Sequence, residues 1–150
     1  MSVVVRPAVE ADAAAIAAVL GDGTTSDVWI ARLDDRPDEV LVVAEDDAAG
    51  IVGVAHARLV DDDPGGFGSE LLALVVAPTF RRGGCGTALL AAAVRGVHMA
   101  GVQSLRAWAP TDGPARSWAV RRGGTPCGER IRSDIVEHAY GWDDVLPLAV

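Results

Sequence analysis

Positions 81–87 read Arg81, Arg82, Gly83, Gly84, Cys85, Gly86 and Thr87, residue types suited to holding a polyanion against the backbone. Glycines without a Cβ let the main chain approach a ligand closely. The two guanidinium forks match the geometry of phosphate oxygens. From Gly84 to Ala100 the composition is helical, so the run opens a helix. There the first N–H groups lack intrahelical partners and the aligned peptide dipoles favour an anion. Upstream, Glu70 to Val76 is an apolar run of strand length cut by Pro78. A strand thus feeds a glycine turn, which feeds a helix. The alternative is a plain strand-to-helix turn that uses glycine only for geometry. Against it, two adjacent arginines at a helix N-terminus are electrostatically unfavourable without an anion.

Two familiar phosphate motifs do not fit this run. A Walker loop needs a Lys-Ser/Thr pair after its last glycine, and the chain contains no lysine. A dinucleotide fingerprint needs a third glycine, and from Gly84 that position is Leu89. It would also follow the first strand of a βαβ unit, with an acidic residue about 20 positions on.

The elements that must position this segment can be read on either side of it. Val3 to Val5 is a short β-branched strand ended by Arg6-Pro7. Residues 10–20 carry a helical stripe stopped by Gly21-Asp22-Gly23. Residues 25–33 form a second helix with Trp29, Ile30 and Leu33 inward. Val40 to Ala44 and Ile51 to Val60 make a hairpin across the turn Asp46 to Gly50. After Gly84 to Ala100 comes a strand from Ser104 to Ala109, a short helix over 112–122, and two strands within 125–140. The order is βααβββαβαββ, an α/β (α+β) domain with a mixed, mostly antiparallel twisted sheet flanked by helices.

One hundred and fifty residues suit a single domain, and half of them are hydrophobic. The formal charge is −8, from 13 Lys+Arg against 21 Asp+Glu, and every basic residue is arginine. That balance disfavours nucleic acid, whose phosphates demand a basic surface. Cys85 and Cys127 are the only cysteines, so neither a disulfide framework nor a CxxC metal or redox site is expected. No signal peptide is read at Met1, and no apolar stretch approaches bilayer length. The expectation is a cytoplasmic protein with no metal and no membrane or nucleic-acid partner.

Arg81, Gly84 and Gly86 form Arg-x-x-Gly-x-Gly after a strand and a proline, which resembles the acyl-CoA signature of the GNAT N-acetyltransferase superfamily. The resemblance extends over nearly the whole chain. Val5-Arg6-Pro7-Ala8 with Asp12 is similar to that family's opening strand and helix, and Leu74-Val75-Val76-Ala77-Pro78 to its central strand. Asp112-Gly113-Pro114-Ala115 followed by Gly123 resembles its later helix. The resemblance implies a GNAT fold, acetyl-CoA as donor and a small-molecule or peptide amine as acceptor, with direct attack in a ternary complex. Relatives often dimerise, so a homodimer is a further expectation.

Carried over residue by residue, the resemblance assigns donor binding to the main chain of Leu74, Val75 and Val76. Arg81, Arg82, Gly83, Gly84, Cys85, Gly86 and Thr87 hold the pyrophosphate, with Asp112 on the later helix region. Cys85 reads as a small buried hydrophobe rather than a nucleophile. The oxyanion falls to the Val76 N–H. Glu70 is the candidate proton acceptor, on the expectation that even-numbered residues 70, 72, 74 and 76 share a face; its other reading is a solvated strand-end carboxylate. His56 is a second candidate and otherwise a packed or merely exposed histidine, while His98 and His138 read as structural. Trp29, Trp108, Trp118 and Trp142 all read as core or interface packing, with Trp29 and Trp108 also candidates for the acceptor pocket.

The departure concerns the acid. The family's tyrosine position falls on Ala119, its asparagine on Asp112, and the aromatic after its late glycine on Gly124. Tyr140 and Ser117 are the remaining hydroxyls considered for the role. A GNAT-like acyl-CoA sensor without turnover is therefore the alternative function.

Overall fold

Seven short strands, the first five of them rich in Val, Leu or Ala, pair into one sheet in the computed structural model, which describes residues 3–34, 38–61, 63, 65–111 and 113–149. The strands are β1 (Val3–Pro7), β2 (Glu39–Asp46), β3 (Gly50–Leu59), β4 (Ser69–Val76), β5 (Leu105–Pro110), β6 (Thr125–Arg132) and β7 (Ile135–Trp142). The helices are α1 (Ala13–Leu20), α2 (Ser26–Asp34), α3 (Cys85–Met99) and α4 (Pro114–Arg121). This is the element order expected from the sequence. Short 3-10 turns at Glu10–Asp12, Pro78–Phe80 and Leu146–Ala149 are added to it.

The sheet order is β1-β2-β3-β4-β5-β7-β6. Every pairing is antiparallel except β4 with β5. That one parallel pair joins two antiparallel halves, and its register contains only Glu70 with Arg106 and Leu71 with Ala107. Beyond Leu71 and Ala107 the two strands part. The site is built in the gap.

Each half of the sheet needs a cover, and α3 supplies one stripe to each. Cys85, Leu89 and Ala93 pack with Val42, Ala44, Val52 and Ala55. Leu90 and Val94, one position further round the helix, pack with Leu105, Ala107, Tyr140 and Trp142 from the other half. The helix therefore fixes the angle at which the halves diverge. Ala119 of α4 joins the second cluster. On the opposite face, Ala13 and Ile16 of α1 and Trp29 of α2 cover Val43 and Val54. An ion pair locks the entry to α1: Arg6 Nη1 lies 2.8 Å from Asp12 Oδ2, which also accepts from the Val9 N–H.

The register of β3 on β4 contains an irregularity that alters one expectation. Ala73 pairs with His56 but Leu71 pairs with Ala57, so Leu72 is an extra residue on β4. Such a bulge shifts the side-chain alternation of its strand by one position. Glu70, opposite Arg58, thus shares a face with Ala73 and Val75, which oppose His56 and Val54. Leu74 and Val76 point the other way, against α3. The expectation that residues 70, 72, 74 and 76 share one face is corrected on this ground.

Candidate active site

The parting of β4 and β5 opens a cavity of about 620 Å3. Its walls are Leu71 to Val76 of β4, Ala107 to Ala109 of β5, Pro114, Ala115, Trp118 and Ala119 of α4, Tyr140 of β7, and Arg81 and Gly86. Most of that lining is apolar, so polar recognition falls to backbone groups and a few side chains. Backbone direction follows from strand alternation. The Ala77 N–H donates to the Val52 carbonyl at 2.8 Å, so Ala77 and Val75 present their groups to β3. Leu74 and Val76 present theirs to the cleft, where β5 no longer pairs with them. The Val76 carbonyl accepts from Arg81 Nε at 3.0 Å, which anchors that guanidinium against the mouth of the cleft.

At the same mouth, α3 begins. Gly84 precedes it at φ +82, a left-handed conformation that glycine adopts without Cβ strain. The first intrahelical bond runs from the Ala88 N–H to the Gly84 carbonyl at 3.0 Å. The N–H groups of Cys85, Gly86 and Thr87 are left without intrahelical acceptors. No side chain caps this end and its first turn holds no acidic residue. Arg122, at the end of α4, reaches across and donates from Nη2 to Thr87 Oγ1 at 2.9 Å. Arg81 and Arg122 thus flank three backbone donors that have no partner among the described residues, with Arg82 next in sequence.

The other face of the sheet carries a linked set of charges. Glu70 is buried, 6% exposed. Its Oε1 accepts from Trp108 Nε1 at 2.9 Å and lies 3.5 Å from Arg106 Nη2, while Oε2 accepts from Arg58 Nη2 at 3.1 Å. Arg106 also pairs with Asp63, and Arg130 stacks 4.2 Å from the Trp108 ring centroid. Nearer α2, His56 meets the Trp29 ring edge-on at 5.3 Å between centroids. Its Nε2 is buried without a hydrogen-bond partner among the described residues, 3.3 Å from Glu39 Oε1. Burial pushes the His56 pKa below its ordinary value, although the Glu39 charge opposes this.

The structure brings Leu74, Val75, Val76, Arg81 and Gly86 together around the cleft. Arg82, Gly83 and Gly84 form its exposed outer turn, with Thr87 beside them. Cys85 turns its side chain into the core, and burial pushes its thiol pKa up, which disfavours a thiolate. Only its N–H faces the turn. Asp112 lies outside the described residues. Glu70 stands apart from the cavity lining, on the α1/α2 face. Trp108 and Trp118 line the cavity, whereas Trp29 and Trp142 are core. Ser117 faces away on α4, with Thr111, Arg116 and Val120. His98 is exposed, and His138 lies 3.5 Å from Glu129. Arg122 was missed by sequence reading because 35 positions separate it from Thr87. No group of three or more His, Cys, Asp or Glu side chains suited to a metal ion occurs among the described residues. No helix of the described residues is long and apolar enough to cross a membrane.

Residues 18–124 match the model of the Acetyltransferase (GNAT) family. No curated protein sequence matches the chain. Several solved structures share its fold. A ribosomal-protein-alanine N-acetyltransferase from Brucella melitensis is 26% identical with a TM-score of 0.69, over 93% of this chain and 98% of that one. The yncA protein of Salmonella typhimurium, solved with its cofactor acetyl-CoA, is 18% identical with a TM-score of 0.76, over 95% and 94%. An N-acetyltransferase from Staphylococcus aureus Mu50 is 18% identical with a TM-score of 0.77, over 95% and 99%.

Proposed function

The chain belongs to the GNAT acetyltransferase family, and on that premise we propose that it transfers an acetyl group from acetyl-CoA to a primary amine by direct attack. One observation carries this reading: the cleft between β4 and β5 ends at an uncapped helix N-terminus flanked by Arg81 and Arg122. A long, mostly apolar slot joined to an anion site matches a pantetheine arm joined to a pyrophosphate. The fold shared with the yncA protein, solved with acetyl-CoA, supports the same donor.

In this reading the Cys85, Gly86 and Thr87 N–H groups hold phosphate oxygens, with charge from Arg81, Arg82 and Arg122. The pantetheine lies along Leu74 and Val76, whose main-chain groups replace the missing partner strand. The Val76 N–H then meets the oxyanion formed when the amine attacks the thioester carbonyl. Such a donor is fixed in place before reaction and needs no reorganisation.

The amine enters from the α1/α2 face and must be neutral to attack. Glu70 is the proposed proton acceptor, acting through a water. Its Oε2 has a single protein partner, Arg58, among the described residues, which leaves a lone pair for that water. Arg58, Arg106 and Trp108 fix the carboxylate orientation. His56, whose pKa burial lowers, stands on the same face and is the alternative acceptor.

The test is thiol release from acetyl-CoA against a panel of small amines, aminoglycosides, amino acids and peptides with free N-termini. Turnover with at least one class is expected. Binding of acetyl-CoA without turnover of any amine would favour a sensor. A chain that neither binds nor turns over acetyl-CoA would end the proposal.

A further inference from the structure

On the face of the sheet that receives the amine, four ion pairs each place the arginine outside the carboxylate. The Arg58 side chain is 47% exposed against 8% for Glu70, and Arg130 34% against 16% for Glu137. The same order holds for Arg32 over Glu39 and for Arg106 over Asp63. A chain with a formal charge of −8 therefore turns guanidinium groups outward from these pairs, a local sign that favours an anionic group on the ligand.

The same face is short of hydrogen-bond acceptors. Glu39, Arg58, Glu70 and Arg106 stand in one row across β2, β3, β4 and β5. Glu70 alone serves Trp108, Arg58 and Arg106. A guanidinium has five N–H donors and no acceptor. Among the described residues two buried side-chain polar atoms lack a partner, Arg106 Nε and His56 Nε2, and both are nitrogens on this face. A carboxylate brought in by a ligand supplies the kind of atom the network lacks.

Arg130 is the guanidinium placed to take it. Trp108 of β5, Ala139 of β7 and Gly128 of β6 form the next row. The indole reaches across Ala139 to Gly128, where a Cβ would lie 3.5 Å from Trp108 Cη2. Arg130 follows on the same face of β6, with its guanidinium carbon 4.2 Å from the indole centroid and its Nε donating to Glu137 Oε1 at 2.8 Å. Held by one face and one edge, it keeps both Nη groups without a partner among the described residues. Two Nη groups in a fixed plane form the fork that binds a carboxylate bidentately. Trp108 itself lines the cleft, so the fork stands one indole away from the cavity. Arg58, in contrast, is committed to orienting Glu70.

We infer that the acceptor carries a carboxylate close to its amine, as an amino acid does, and that Arg130 binds that carboxylate. The inference rests on the acetyl-transfer reading of the cleft. With the carboxylate on Arg130 and the amine toward Glu70, both ends of a small acceptor are fixed before attack. Amines without an anionic group lose one anchor, and polycations meet outward-facing guanidinium groups. A peptide that begins with an acidic residue offers the same two groups, so the carboxylate has two sources.

The experiment measures thiol release from acetyl-CoA with L-amino acids, each paired with its α-carboxamide. A second arm uses C-terminally amidated peptides that begin with Asp or with Asn. In the best pair the acid should exceed the amide by at least about tenfold in kcat/KM, mainly through KM, the size expected of a hydrogen bond to a charged group. Arg130→Gln should bring the acid-to-amide ratio to within about twofold of one. Arg130→Lys, which keeps the charge without the fork, should fall between. A defect in folding lowers acid and amide alike and leaves the ratio, and the wild-type ratio can be read without any variant. Inert amino acids with Asp peptides preferred over Asn peptides would support the inference with the carboxylate on a peptide side chain. Equal turnover of acid and amide throughout, or a preference that survives Arg130→Gln, overturns the inference and leaves the transfer reading standing. Acetyl-CoA bound with no thiol released by any acceptor removes the transfer reading, and this inference with it.

Discussion

Replacing Gly86 by valine should separate fold from donor binding, because the structure predicts opposite signs for the two. Gly86 is the second residue of α3 and lines the cleft. A Cβ there would meet only Val76 Cγ2, at 3.7 Å, an ordinary contact. The backbone is helical and unstrained, so the substitution also removes unfolded-state freedom, worth about 0.5 kcal/mol. For a domain of this size that is a rise of roughly 1–2 °C in Tm. The new methyl groups, however, project where phosphate oxygens would approach the Gly86 and Thr87 N–H groups. Hydrogen bonds to a charged acceptor are worth about 1.5–3 kcal/mol each. Losing two costs at least about 3 kcal/mol, a hundredfold or more in Kd. Calorimetry with acetyl-CoA and a thermal melt of the free protein measure both quantities. Affinity within a few-fold of wild type would show that no phosphate sits on this turn. A free variant that melts far below wild type would show that the space beside Gly86 is not open.

Three further perturbations test other parts of the account. Glu70→Gln should lower kcat at least about tenfold with the KM for acetyl-CoA unchanged; unaltered kinetics would remove Glu70 from the proton path. Arg6→Ala leaves the Asp12 carboxylate without the partner that holds its pKa below the ordinary value of 3.8. The partly exposed pair discounts the cost to about 1–2 kcal/mol in denaturant melts at pH 7. That stability is present above the unfolded pKa and is lost as pH falls through the lower folded one, so the difference should shrink below about pH 4. His56 has the opposite charge sign. Its folded pKa lies below the unfolded value of 6.5, so the unfolded chain binds the extra proton as pH falls. Wild type should therefore lose stability between pH 6.5 and 5 more steeply than His56→Leu, and parallel slopes would refute this.

Element order was legible in the sequence because each element is marked locally. Gly21 ends α1 in a left-handed conformation, Pro78 ends β4, and Asp46 closes the β2–β3 turn by accepting from Ala48 and Ala49. The anion turn was legible for the same reason, since its arginines, glycines and free N–H groups are contiguous. What the sequence hid depends on pairing. The bulge at Leu72 is a mismatch between two strands and leaves no mark in β4 itself, which is why Glu70 was assigned to the wrong face. Arg122 meets Thr87, and Tyr140 meets the cleft, only once α4 and β7 have packed. The absence of an acid at Ala119 was visible, whereas the place of Tyr140 in the cleft wall needed the sheet order, in which β7 lies next to β5.

The most direct measurement is the structure of the chain with acetyl-CoA bound. The account predicts pyrophosphate oxygens within hydrogen-bond distance of the Cys85, Gly86 and Thr87 N–H groups. It also predicts the pantetheine between β4 and β5, and the thioester carbonyl toward the Val76 N–H. Acetyl-CoA bound elsewhere, or a cleft that stays empty at saturating ligand, would contradict it.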